Sequence, residues 1–145
     1  MATVFDVANY ILSETGSMTT WKLQKLVYYS QAWHAVWEDQ QLFQESIEAW
    51  ANGPVCPDLY SQHRGMFKVG SFGKGKFTLK KSEKESIDVV LKHYGKKSAE
   101  YLSELTHQEA PWKDARKGLP AGVRGNRKIP VDAMAEYYGG LKATP

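Results

Sequence analysis

The sequence predicts a mainly α-helical protein: one compact domain around a central buried helix, with a small β-hairpin or short sheet attached. Three observations point there. The stretch Thr19–Asp39 is apolar on nearly every side of a helical wheel. Capping residues and stop signals recur along the chain at helix-length intervals. The 145 residues, 42% apolar and 24% charged, have the size and composition of a globular domain that can bury one core without disulfides or metal.

Within Thr19–Asp39, Leu23, Leu26, Val27, Ser30, Trp33, His34 and Trp37 fall on one face at the i, i+3, i+4, i+7 spacing of an amphipathic helix. Trp21, Tyr28 and Ala32 lie opposite, with Tyr29 and Val36 on a flank. A helix apolar all round is buried, or keeps a second surface for a partner. The wheel assigns Trp33 and Trp37 to packing. It leaves Trp21 and Tyr28 with two readings, packing beneath Ile47–Trp50 and the C-terminal helix, or contact with a partner. The charges run Lys22, Lys25 first and Glu38, Asp39 last, which opposes the helix dipole, so tertiary packing or a partner must outweigh a local penalty.

The other elements follow in order. Val4–Leu12 predicts a first helix, capped by Thr3 with Asp6 and stopped at Gly16. Thr19 or Thr20 caps the central helix. Ser46–Trp50 reads as extended and ends in the turn Asn52-Gly53-Pro54. Pro57 opens a short helix closed by Gly65, with Asp58 and Arg64 placed favourably for its dipole. Met66–Val69 and Lys76–Leu79 predict a lysine-rich hairpin around Gly70–Gly75. Ser82 with Glu85 reads as a capping box and Gly95 as the stop of that helix. Ser98 opens the next, with Tyr101, Leu102 and Leu105 inward, and Pro111 begins a short piece after it. Gly118–Lys128 predicts a mobile basic loop, and Pro130 starts a last helix carrying Ala133, Met134, Tyr137 and Tyr138. One domain spans residues 1–145, with its core at about 4–138.

Composition narrows the function. A single cysteine, Cys56, leaves no intramolecular disulfide and suits a reducing compartment. The N-terminus lacks the pattern of a signal peptide, and no stretch approaches the roughly 18 apolar residues of a membrane span. A cytoplasmic protein with no membrane attachment is the expectation. Five Trp and eight Tyr are many for this length, and aromatics serve both cores and interfaces. Residues 1–63 carry two bases against seven acids, and residues 64–145 carry 17 against nine. Such a split can mark a surface for an acidic partner or a merely solvated basic face.

No constellation of residues stands out as catalytic. Gly70–Lys76 matches the G-x-x-x-x-G-K opening of a phosphate-binding loop, but Phe77 stands where Ser or Thr should hold magnesium. His34, His63, His93 and His107 form no local metal-binding spacing. Cys56, between Val55 and Pro57, has no recognised nucleophile signature, although a distant His remains open as its partner. Neither a cofactor nor a metal is expected, nor is enzymatic activity. The basic region 64–128, with Phe72 and Phe77 interleaved, carries an alternative reading as a nucleic-acid-binding regulator. A helix-turn-helix use of the first two helices is discounted, because the second exposes aromatics rather than bases.

Three segments together resemble a known family. Lys22-Leu23-Gln24-Lys25-Leu26-Val27-Tyr28-Tyr29-Ser30-Gln31-Ala32-Trp33, then Ile47-Glu48-Ala49-Trp50, then Gly53-Pro54-Val55-Cys56-Pro57-Asp58-Leu59-Tyr60 are similar to the Panacea antitoxin domain, which includes SocA-like antitoxins and prophage-associated proteins. Leu102–His107 with Pro111-Trp112 fits its C-terminal half. The resemblance implies neutralisation of a toxin by direct protein–protein contact, with the toxin usually encoded by the adjacent gene, and phage defence as a setting. One branch delivers its toxin to a AAA+ protease as an adaptor. The pattern implies scaffold roles for Leu23, Leu26, Tyr29, Trp33, Trp50, Gly53, Pro54, Pro57 and Tyr60, and no catalytic residues. The partner-binding candidates are Trp21, Tyr28, Arg124 and Arg127, and nucleic acid is not an expected partner of such a bare domain.

Overall fold

The computed structural model describes residues 1–141 and is mainly helical. Its elements are α1 (Val4–Thr15), β1 (Met18–Thr19), α2 (Thr20–Glu38), β2 (Glu48–Trp50), β3 (Gly53–Val55), α3 (Pro57–His63), β4 (Lys68–Val69), α4 (Lys81–Tyr94), α5 (Ala99–Gln108), α6 (Ala110–Ala115) and α7 (Val131–Gly139). The element α2 is the hub. It packs against α7, α4, α5, α1 and β3, so it has neighbours on every side. Its residues Leu23–Ala35 are all buried, which explains how a helix with two apolar faces is tolerated.

Local signals set most helix ends. The Thr3 hydroxyl accepts from the Asp6 amide while the Asp6 carboxylate accepts from the Thr3 amide at 2.8 Å, the expected reciprocal cap. Thr19 caps α2 and Ser98 caps α5, each through its hydroxyl. Pro57 sits in the first turn of α3, and Pro130 immediately precedes α7.

The polar residues of α2 hold the chain that follows. Gln31 donates to the Phe43 carbonyl and accepts from the Leu42 amide at 2.7 Å. One heptad earlier on the same stripe, Gln24 accepts from the Cys56 amide at 2.9 Å and donates to the Cys56 carbonyl. Two amides therefore fix two loops whose backbone would otherwise be buried without partners.

Two small antiparallel sheets complete the fold. In the hairpin β2–β3, Glu48 pairs with Val55 and Trp50 with Gly53. Gly53 has φ +123, and a Cβ there would lie 2.5 Å from Lys25 Cε, so both conformation and space demand glycine. The second sheet pairs β1 with β4, Met18 opposite Val69.

That pairing corrects the expected hairpin of Met66–Val69 with Lys76–Leu79. The first segment joins a distant strand, while residues 70–80 are irregular and wrap α1. Asn9 clamps them, donating to the Phe72 and Lys76 carbonyls and accepting from the Phe72 amide at 2.8 Å. A second correction concerns α4. Its cap is Lys80, whose amide donates to Glu83 at 2.7 Å, and not Ser82. Glu85 instead lies 4.0 Å from Lys81 in an exposed i, i+4 pair. Tyr101, expected inward, is 48% exposed, while its neighbour Leu102 takes the core position.

Candidate functional site

The buried face of α2 toward α5–α7 carries a polar cluster inside the aromatic core. Tyr28, left between packing under the C-terminal helix and contact with a partner, is 1% exposed, because α7 covers that side and presents Tyr138. The two hydroxyls lie 2.9 Å apart. Tyr138 also donates to Glu109 at 2.8 Å, and Tyr29 donates to the same carboxylate oxygen at 2.7 Å. Tyr94 stacks on Tyr29 at 4.1 Å and accepts from the Trp33 indole, and Trp37 stacks on Trp33 at 5.3 Å. Burial raises the Glu109 carboxyl, and the two phenol bonds oppose part of that rise. Each hydroxyl in this cluster has a partner, so it is a closed structural network that excludes Tyr28 as a free contact residue.

The N-terminal end of α2 is different. Lys25 is also 1% exposed, yet it is among the residues that line a cavity of about 360 Å³, with Trp21, Asn52, Glu100, Ser103 and Glu104. Among the described residues the ammonium donates only to the Pro54 carbonyl, at 3.3 Å, and it lies 5.3 Å from the centre of the Trp21 ring. Among the described residues the only ion pair is Lys81–Glu85, so Lys25 has no carboxylate. Burial alone brings its pKa down to about 7. Trp21 is half-buried at the cavity wall and packs on Tyr60, which in turn meets Trp50 edge-on at 4.9 Å. Gly53 and Pro54 lie next to Lys25 in the β2–β3 hairpin, while Leu23, Leu26, Tyr29 and Trp33 lie in the core.

Arg124 and Arg127 are exposed on the loop before α7, and neither lines the cavity. Their loop is tethered by Arg116, which is buried and donates to the carbonyls of Ala49, Pro120 and Val123. Arg127 donates to the Lys117 carbonyl, and its own carbonyl accepts from Ala49 at 2.8 Å. Phe72 and Phe77, the aromatics of the nucleic-acid reading, pack edge-on against Phe5 and Tyr10 of α1 and are not presented for base stacking. No helix opens at Lys76, so Gly70–Lys76 is not built as a phosphate-binding loop.

The groups considered for nucleophilic chemistry point elsewhere. Burial pushes the Cys56 thiol up to about 11, the opposite of an activated thiolate. His34 bonds Ser86 at 2.8 Å and His63 bonds Gln24 at 2.9 Å; burial lowers both. Among the described residues no three His, Cys, Asp or Glu side chains are grouped to hold a metal, and no helix is long and apolar enough to cross a membrane.

Sequence reasoning did not name Glu109, and it named Lys25 only as a charge opposed to the helix dipole. Lys25 carried a signal, a base on a helix with almost no polar face, whereas Glu109 is brought to Tyr29 and Tyr138 only by the tertiary fold. Residues 23–113 match the family model described as "Antitoxin SocA-like, Panacea domain", well over half of the chain. No curated protein and no solved structure matches it.

Proposed function

Since the chain belongs to the SocA-like Panacea antitoxin-domain family, we propose that it is an antitoxin that neutralises a cognate protein toxin by direct binding. The family match carries this reading. The structure supports it by what its polar groups do: Cys56, His34 and His63 are buried and hydrogen-bonded or shifted away from reactivity, as suits a binding scaffold rather than an enzyme. The toxin is encoded by the adjacent gene, and the complex forms in the cytoplasm. Occlusion by binding is the simplest mechanism, and hand-over to a AAA+ protease is the elaborated one.

Induced expression of the neighbouring gene product, with and without this chain, is the test. The expected result is growth arrest by the product alone and rescue with co-purification when both are present. A product that is harmless alone, or as toxic with this chain as without it, removes the proposal. Rescue that requires an intact protease identifies the adaptor mechanism. Salt-titrated binding to the gene's own promoter tests the regulator reading of residues 64–128, since phosphate contacts give a steep salt dependence.

A further inference from the structure

The cavity at the start of α2 contains a charge without its complement. Lys25 is enclosed by Trp21, by the β2–β3 turn and by α5, and its stem lies where the Cβ of any residue but glycine at position 53 would sit. An ammonium has three donors, and among the described residues its one hydrogen bond goes to a carbonyl and its one ring contact to Trp21. Buried cations are ordinarily paired, and an unpaired one is costly to retain. Lys25 lines the cavity together with Asn52 and Ser103, and the Ser103 hydroxyl donates to the Asn52 carbonyl at 2.6 Å. Glu100 and Glu104, on one face of α5, stand exposed at its rim.

We propose that this cavity receives the side-chain carboxylate of an acidic residue of the protein partner, with the Lys25 ammonium as its counter-ion and Trp21 as the apolar wall. The ordering of charge, cation deep and carboxylates at the mouth, selects an acidic residue flanked by basic ones. It disfavours a uniformly anionic chain such as nucleic acid, whose flanking phosphates would meet Glu100 and Glu104. The pKa of about 7 fits this use: entry of a carboxylate restores the charged form, so partner binding takes up a proton near neutrality. The identity of the carboxylate's owner rests on the toxin-binding reading above; the chemistry of the site does not.

Two measurements separate these. In the first, the isolated protein is titrated with N-acetyl-aspartate N-methylamide and, separately, with N-acetyl-arginine N-methylamide, and the Lys25 Cε and Trp21 indole resonances are followed by NMR. A saturable response to the aspartate probe, with a rise in the Lys25 pKa and no response in Lys25→Met, supports the site. No saturable response, an equal response in Lys25→Met, or saturation by the arginine probe alone overturns it. In the second, Lys25→Met is co-expressed with the neighbouring gene product. The proposal expects the affinity to fall about tenfold or more with the melting temperature at or above that of the wild type. Full neutralisation by Lys25→Met overturns the cavity proposal and leaves the antitoxin reading standing. A response to the aspartate probe in a protein that neutralises nothing removes the toxin and leaves the site.

Discussion

The start and the middle of α2 bury opposite charges in opposite ways. Toward its middle, Glu109 meets Tyr29 and Tyr138, and Tyr28 closes the network behind them. At its start, Lys25 meets one carbonyl and one aromatic ring beside a cavity. Both side chains are nearly inaccessible to water. The satisfied anion belongs to the architecture, since every donor aimed at it comes from the fold. The under-satisfied cation is costly to the folded state, and a cost retained beside an opening points to use by something outside the chain. Burial alone therefore does not separate scaffold from site; the completeness of hydrogen bonding does.

The largest effects are expected in the closed region. Trp33→Ala removes a fully buried ring stacked on Trp37 and packed on Tyr138, and should cost about 3–5 kcal/mol in equilibrium denaturation. Tyr138→Phe strips one donor from Glu109 and one partner from Tyr28, with an expected loss of about 1–3 kcal/mol. The two sites should also respond oppositely to pH. The folded Glu109 carboxyl titrates above its ordinary value, so its contribution is full below that value and is lost as pH rises through the folded one. Glu109→Gln, which keeps an oxygen to accept both phenol bonds, should flatten this fall in stability.

At the open end the sign reverses. The folded Lys25 titrates at about 7, below the ordinary 10.5, so the unfolded chain holds more protons between these values and the wild type gains stability as pH rises through that window. Lys25→Met should be the more stable protein below pH 7, by on the order of 3 kcal/mol, and the gap should close toward pH 10. Thermal melts of both proteins across that range check it; a variant less stable than the wild type at pH 6 would assign Lys25 to the scaffold. The smallest effect is expected at Arg124 and Arg127, exposed in their loop, where alanine should change stability by no more than about 0.5 kcal/mol.

Much of this architecture was legible in the sequence because helix ends are local. Thr3 with Asp6, Thr19, Ser98 and the prolines at 57 and 130 announced their helices through hydrogen bonds and φ values set within a few residues. Misreadings arose where distant chain decides. The strand at Lys68–Val69 pairs with Met18–Thr19 and not with its neighbour, since Asn9 holds the intervening loop on α1. Tyr28 stayed open between packing and partner contact because a helical wheel shows two faces but not how many helices surround them, and its partner Tyr138 lies 110 residues away. Of the candidate contact residues, only Trp21 lines the cavity; the lysine one turn below it showed in the sequence only as a charge set against the helix dipole, because its burial depends on the β2–β3 hairpin and α5.

One paired measurement tests the contrast directly: calorimetric affinity for the purified toxin of Lys25→Met and of Tyr138→Phe, each alongside its own melting temperature. Lys25→Met should lose affinity while keeping or gaining stability, and Tyr138→Phe should lose stability while keeping affinity. Undiminished binding by Lys25→Met, together with a lowered melting temperature, would contradict it.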